Sequence, residues 1–173
     1  MPNKMSKLVE IRQAKPGDEH GLIDLFERLY RESDFLLMEP GEGAVSVESQ
    51  EKLINEISQS NSQVLFIAVE GNNIVGFLGG TGGKVNRNRH SIRIAMGVLK
   101  DKQRQGIGSQ LLEAFVEWSV SNKFGRIELS VMEHNITAKL LYERFGFKTE
   151  GLKHNSLKVN GRFINEYLMA KII

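Results

Sequence analysis

Apolar positions along this chain repeat with two different periods, and the switches between them mark out the elements. Residues 8–12 alternate and read as a first strand. Pro16, Gly17 and Asp18 supply a turn and a candidate helix N-cap, after which Leu22, Leu25, Phe26, Leu29 and Tyr30 fall along one helical face. The stretch from Ser33 to Val47 has no period and reads as a mobile loop, and Leu53, Ile54 and Ile57 then predict a second helix. Residues 64–69 form a β-branched run, Gly71, Asn72 and Asn73 are turn residues, and residues 74–78 return as a partner strand. Ile92, Ile94, Met96 and Val98 alternate as a further strand, followed by a helix with Leu111, Leu112, Phe115, Val116 and Val120 on its buried side. Residues 127–132 predict the next strand, and Ala138, Leu141, Tyr142 and Phe145 the stripe of a helix that stops at Gly146. Asn160-Gly161, within residues 156–169, lies between two β-compatible runs, a strong hairpin signal. The order β-α-α-β-β-β-α-β-α-β-β predicts an α/β (α+β) fold with a mixed sheet and helices packed on it.

Length and composition narrow the class without changing this picture. The 173 residues fit one domain over 1–173, with no internal repeat or linker-like tract to divide them. There is no cysteine, so disulfides, thiolate metal sites and a cysteine nucleophile are excluded. No apolar run approaches the roughly 20 residues of a membrane span, residues 1–7 are too polar for a signal peptide, and the cytoplasm is the expected location. The four histidines, at 20, 90, 134 and 154, lack ligand spacing, so no metal is expected.

Charge and glycine point to one segment. The net charge of +2 hides two blocks. Residues 84–104 carry seven basic side chains against Asp101 alone, a local +6, whereas residues 24–56 carry nine acids against three bases, a local −6. Within the basic block, a strand ends at Val98 and a helix opens after Gln103-Arg104-Gln105-Gly106-Ile107-Gly108-Ser109. The first N–H groups of a helix have no intrahelical partner and carry partial positive charge, so glycines at 106 and 108 let those donors approach phosphate oxygens. A dinucleotide fingerprint is excluded because its third glycine position is Leu111, and a Walker A loop because Leu78 and Val85 stand where Gly and Ser/Thr are required. The cluster Gly79, Gly80, Gly82 and Gly83 reads as a bulged or flexible strand end. Nucleic-acid binding through the basic block lacks aromatic interleaving or a helix-turn-helix pattern, so neither a nucleic acid nor a membrane is an expected partner.

These residues resemble the GNAT superfamily of N-acetyltransferases. Its Gln/Arg-x-x-Gly-x-Gly/Ala motif matches Gln103 to Gly108 and sits in matching surroundings: the strand ending at Val98, Leu111-Leu112, Ile127-Glu128-Leu129-Ser130-Val131, then Asn135-x-x-Ala138-x-x-Leu141-Tyr142 and Gly146-Phe147. The segment from Glu150-Gly151 through the Asn160-Gly161 hairpin to Tyr167-Leu168-Met169 is similar to the branch that acts on amino acids and other small amines. The resemblance implies a mostly antiparallel mixed sheet with helices on both faces, and acetyl-CoA as co-substrate. It implies that Gln103, Arg104, Gln105, Gly106, Ile107, Gly108 and Ser109 cradle the pyrophosphate, that the main chain of Met96 and Val98 pairs with the pantetheine arm, and that Asn135 directs its amide to the cofactor. Read as residues alone, Asn135 is a helix N-cap and Tyr142 a core filler. The resemblance makes Tyr142 the general acid that protonates the departing thiolate. Some relatives place a glutamate base where this chain has Ile92, which leaves the base open between Glu128 and a chain of water molecules.

The function implied is direct transfer of the acetyl group to a primary amine in a ternary complex, with a small-molecule acceptor. The acidic first third suggests a cationic acceptor such as a polyamine, an aminoglycoside or a basic amino acid, so a small cationic amine or an amino acid is the expected substrate. A protein N-terminal acetyltransferase of the ribosomal-protein type and a non-catalytic acyl-CoA sensor remain as alternatives, and dimers are frequent among similar proteins, so a homodimer is an expectation.

Overall fold

In the computed structural model, which describes residues 8–173, seven strands form one sheet. The elements are β1 (Val9–Gln13), α1 (Glu19–Glu32), α2 (Val47–Ser58), β2 (Gln63–Glu70), β3 (Asn73–Gly82), β4 (Ser91–Val98), α3 (Ile107–Ser121), β5 (Arg126–Met132), α4 (Ile136–Arg144), β6 (Lys148–Val159) and β7 (Arg162–Ile172). The expected order of strands and helices is the observed one. Strands lie in the order β1-β2-β3-β4-β5-β7-β6, antiparallel throughout except for β4 and β5.

Alternation along the strands divides the helices between two faces. Phe77 on β3 and Gly97 on β4 are paired and meet α1, with Phe26 at 4.7 Å between ring centroids from Phe77 and Leu29 against Gly97. α2 packs on α1 and β2. The neighbouring positions Gly76 and Gly80 face the other way and meet Leu111 and Phe115 of α3. α4 lies on this second face too: Leu141 approaches Gly108 of α3, and the Lys171 ammonium of β7 donates to the Phe145 carbonyl at 2.8 Å. The core between the layers contains Leu22, Leu25, Leu29, Ile54, Ile67, Leu78, Ile92, Leu112, Phe115 and Ile127, all nearly inaccessible to solvent.

Several sequence expectations change in the structure. Asp18 stands at the N-cap of α1 without capping it, because its carboxylate is taken by both Arg12 nitrogens at 2.7 and 2.8 Å and by the Lys15 N–H. Glu19 instead accepts from the Gly17 N–H. Leu53 is 43% exposed, since the inward stripe of α2 runs through Gln50, Ile54 and Ile57. Val120 is 59% exposed, because at 100° per residue it lies about 140° around α3 from Phe115. The glycines at the end of β3 are neither bulged nor slack. A Cβ at Gly80 would lie 2.6 Å from the Phe115 ring, and one at Gly82 3.1 Å from Phe124, so their absence makes room for aromatic side chains. The final hairpin turns at Asn160-Gly161, both with positive φ, and its strands extend beyond the expected 156–169. An irregularity between Lys153 and Leu157, with Asn155 at φ +50°, breaks the alternation there. The expectation about a signal peptide concerns residues 1–7, outside the described residues.

Candidate active site

The two parallel strands touch for only three residue pairs: Ser91 with Arg126, Ile92 with Ile127 and Arg93 with Glu128. Beyond Arg93 they part. The main chain of residues 94–98 therefore keeps β3 as its partner on one side and presents an unpaired edge on the other, like the edge that accepts an added strand. Met96 and Val98 lie on that edge, and the Gln103 side-chain amide donates to the Val98 carbonyl at 3.1 Å. Met96 is half-buried, its Cε placed 3.1 Å from where a Gly108 Cβ would stand. A side chain at 108 would press on both β4 and α4.

From Val98 the chain makes a 3-10 turn at Lys100–Lys102 and then a tight reversal, with Arg104 at φ +61° and Gly106 at φ +81°. Gln105 ties the reversal to itself by donating to the Asp101 carbonyl at 3.1 Å. Gly106 is the N-cap of α3, and no side chain caps the helix. The N–H groups of Ile107, Gly108 and Ser109 consequently have no intrahelical acceptor at the positive end of a 15-residue helix. The Ile107 side chain is buried, so only its backbone is available at the helix end. Three contacts hold this segment from outside: Glu32 accepts from the Lys100 N–H at 2.7 Å, Arg28 reaches Asp101 at 3.4 Å, and Lys102 pairs with Glu70.

α4 meets the first turn of α3 through Leu141, which approaches Gly108. Asn135 accepts from the Ala138 N–H at 3.3 Å and so acts as the N-cap. Tyr142 is 7% exposed, and its ring centroid lies 5.7 Å from that of Phe147. Its hydroxyl has no hydrogen-bond partner among the described residues, and burial pushes the phenol well above its ordinary pKa, which keeps it protonated. Tyr142 is thus a member of the core, as its place on the helical stripe implies, and its hydroxyl is left as an unused donor among the described residues.

Glu128 occupies the last position at which β5 pairs with β4, on the opposite sheet face, the one bearing α1 and α2. Its carboxylate accepts from Arg93 at 3.0 Å and Arg126 at 3.1 Å, and Arg126 also forks onto Glu150 of β6. Burial pushes the Glu128 carboxyl up, but the hydrogen bonds and charges of the two arginines outweigh it and hold the group below the usual carboxylate range. The structure brings the glycine turn, Met96 and α4 together, and it gives Glu128 to an ion-pair cluster that closes the narrow end of the opening.

The segment between α1 and α2 is more organised than its lack of period suggests. Glu39-Pro40-Gly41-Glu42 is a turn closed by the Glu42 N–H on the Glu39 carbonyl at 3.1 Å, and the Glu42 carboxylate accepts from the Glu39 N–H at 2.8 Å. Gly43 sits directly on the Tyr30 ring. Phe35 packs on His134, 5.1 Å between ring centroids, and so joins the loop to the start of α4. A groove of about 250 Å³ lies between this loop and the β6–β7 hairpin, with Met132 at the end of β5 as part of its wall. Charge alone had marked the region. The unabsorbed apolar run Phe35-Leu36-Leu37-Met38, outside any helix or strand, was the signal that could have located the groove.

Two central strands thus part ahead of a helix whose N-terminal donors have no intrahelical acceptor. Residues 23–147 match the acetyltransferase (GNAT) family, and the chain belongs to that family. It is an acyltransferase enzyme. A GNAT-family acetyltransferase from Streptococcus pneumoniae has the same fold at a TM-score of 0.93 and 30% identity, over 96% of this chain and 100% of that one. YncA from Salmonella typhimurium, solved with its cofactor acetyl-CoA, superposes at a TM-score of 0.83 with 13% identity, over 95% of this chain and 93% of its own. The L-amino acid N-acetyltransferase AaaT of Escherichia coli K12 is 29% identical over 89 residues, which is 50% of this chain and 55% of AaaT.

Proposed function

We propose that the protein transfers the acetyl group of acetyl-CoA to the primary amine of a small molecule, by direct attack in a ternary complex. The observation that carries this reading is the continuous path from the uncapped start of α3 to the unpaired edge of β4. Backbone donors from Arg104 to Ser109 fit a pyrophosphate, the Gln103 N–H being taken by the Lys100 carbonyl at 3.4 Å, and the edge at Met96 and Val98 fits the amide-bearing arm of a coenzyme laid down as an extra strand. The absence of a Cβ at Gly108 keeps the two ends of that path close.

Acetyl-CoA supplies a thioester, whose acyl carbon accepts an amine nitrogen as its C–S bond breaks. Tyr142 supplies the proton that the sulfur needs, and a water chain from the groove removes the proton that the amine loses, so amide and thiol form without net charge. Glu128, between two guanidiniums, serves that proton removal poorly as a direct base and holds the strands at the apex. The groove under the α1–α2 loop offers about 250 Å³ between two walls, a size that favours a small acceptor over a protein chain end.

Free thiol released from acetyl-CoA, followed against panels of small amines and of peptides with free N-termini, tests the reading. Turnover of small amines supports it. Turnover of peptides alone moves the function to protein N-termini, and CoA binding without any acceptor moves it to a sensor.

A further inference from the structure

Glu166 stands one strand behind the groove. Its cross-strand partner is Met132, the β5 residue in the groove wall, and Ile164, two residues earlier on β7, pairs with Leu157, another residue of that wall. Paired residues share a sheet face and so do alternate ones, which puts Glu166 on the face of the groove and away from α4. Along the opening it is level with the edge of β4. Gly97 and Met132 each lie four residues past the last pair, Arg93 with Glu128, and Gly97 falls between Met96 and Val98. Beyond an arm laid along that edge come β5 and then β7, so the main chain at Glu166 is about 10 Å away, at about 4.8 Å per strand. A glutamate side chain and one amine, with or without a water, fill that span.

The carboxylate is held at one oxygen only. Oε2 accepts from the Ser156 hydroxyl at 2.7 Å and from the Lys153 ammonium at 3.1 Å, and the side chain is 12% exposed. Ser156 belongs to the irregular stretch of β6 between Lys153 and Leu157, where the Asn155 N–H donates to the Asn165 side chain at 2.9 Å. Such irregularities re-aim side chains and gather beside active sites. Asn165 donates in turn to Glu133 at 2.9 Å, which fastens β7 to the end of β5 next to Glu166. Oε1 accepts from no described residue. It is open to solvent, since among the described residues the Gln50 amide nitrogen is the one buried side-chain polar atom without a partner. The other charged groups around the groove are Asp34 and Glu39 on the loop and Lys158 on the hairpin, all exposed, while Glu128 at the apex is held by two arginines.

Resting on the acetyl-transfer reading above, we propose that Glu166 is the base that receives the acceptor's proton, at the end of the water path from the groove. A primary alkyl amine is protonated at pH 7, with roughly one molecule in a thousand free, and only the free form has a lone pair for the acyl carbon. The ammonium gives its first proton to Glu166, which passes it to solvent. The second leaves nitrogen as the C–N bond forms and the C–S bond breaks, and through water it restores Tyr142 after that phenol has protonated the sulfur. Base and acid lie on opposite faces of the sheet, Glu166 with the groove and Tyr142 on α4. The amine thus enters from one side of the parted strands, and the thiolate is protonated from the other.

The test follows thiol release from acetyl-CoA between pH 7 and pH 9.5 with spermidine, benzylamine, L-lysine and a peptide bearing a free N-terminal alanine, and uses whichever is turned over fastest. Glu166→Gln is expected to lower kcat/KM about 100-fold at pH 7, with the affinity for acetyl-CoA in calorimetry unchanged. The gap should narrow to less than about tenfold at pH 9.5, where the free amine is abundant without help. Glu166→Asp should recover part of the loss at pH 7. Lys153→Met removes the same ion pair but keeps the carboxylate, and should lose no more than about threefold. The proposal is overturned if Glu166→Gln matches the parent at pH 7, if its loss is the same at every pH, or if Lys153→Met loses as much. Each of these leaves the acetyl-transfer reading standing. Turnover of the peptide alone overturns the small-molecule acceptor, and the same variants then decide Glu166 on the peptide. Turnover of no amine or peptide, with CoA still bound, overturns both.

Discussion

Burial and the acid role proposed for Tyr142 make opposite demands on its side chain. A phenol within the core ordinarily finds an acceptor, yet no described residue accepts from this one, and burial holds its pKa above the ordinary value. The raised pKa means that the proton-donating form persists through neutral and mildly alkaline pH. Tyr142→Phe is therefore expected to lower kcat about 100-fold or more, with little change in the KM for acetyl-CoA, and to do so equally at pH 7 and pH 9. Steady-state rates at both values decide it; an unchanged kcat removes the acid role. Asp18 makes the opposite shift with a structural purpose. Hydrogen bonds from Arg12 outweigh the cost of burial and hold its carboxyl below the usual range, with the Lys15 N–H adding to the effect. A depressed folded pKa gives stability that is complete above the unfolded value, about 4, and is lost as pH falls through the folded value. Asp18→Asn should unfold about 1–2 kcal/mol more easily than the parent at pH 7, and urea titrations of the two should converge in acid. Nothing in the sequence near Asp18 distinguished this pairing from an N-cap, because the partner, Arg12, becomes a neighbour only when β1 and α1 are docked.

At the scale of elements, glycine carries two different messages that look alike in the sequence. Gly106 is there for its backbone: at φ +81°, with only the end of the Gln110 side chain, at 3.9 Å, near where a Cβ would point, it turns the chain so that the donors of α3 face outward. Gly80 is there for its missing side chain, in an ordinary strand conformation, with the Phe115 ring 2.6 Å from the position of a Cβ. The first kind was legible, since a glycine between a strand period and a helix period has few other meanings. The second was not, since nothing within residues 79–83 says that α3 will lay an aromatic ring there. Gly80→Ala should therefore destabilise by about 1–3 kcal/mol through overpacking, seen as a lower urea midpoint, and leave the affinity for acetyl-CoA intact. Gly106→Ala should cost about 1 kcal/mol of stability and weaken acetyl-CoA binding as well, because the turn that aims the donors is strained by a Cβ. Loss of affinity in the first variant, or none in the second, would reverse these assignments. The α1–α2 loop marks the other limit of the sequence. Its Glu39-Pro40-Gly41-Glu42 turn is local and readable, whereas its seat on Tyr30 and its contact with His134 join positions far apart in the chain.

For the whole molecule, the two charge blocks do more than cancel in the net charge. The acidic end of α1 and the basic connection between β4 and α3 meet in space: the Glu32 carboxylate accepts from the Lys100 N–H at 2.7 Å, and Arg28 and Asp101 pair in the reverse sense beside it. Block charges suggested attraction in general, but the contact that matters is a carboxylate on one backbone donor, which no count of charges can reveal. Glu32 ends α1, and the α1–α2 loop begins with the next residue, while Lys100 opens the turn that leads to the free donors of α3. One hydrogen bond thus joins the segment that walls the groove to the segment that fits the coenzyme. Deleting it leaves the Lys100 N–H to water and frees the turn to sample other conformations, whose ordering must then be met from the binding energy. Glu32→Ala is expected to weaken acetyl-CoA binding about 5- to 20-fold, the equivalent of roughly 1–2 kcal/mol for a charge-assisted hydrogen bond. Glu32→Gln should lose less, because its carbonyl still accepts from the same N–H. Because the contact is a directed hydrogen bond and not a diffuse attraction between blocks, the ratio of alanine to parent affinities should stay nearly constant between low and high salt, even as both affinities fall. Calorimetric titration with acetyl-CoA at two ionic strengths separates the cases: a ratio that collapses toward one in high salt would mean that Glu32 acts only through the overall field.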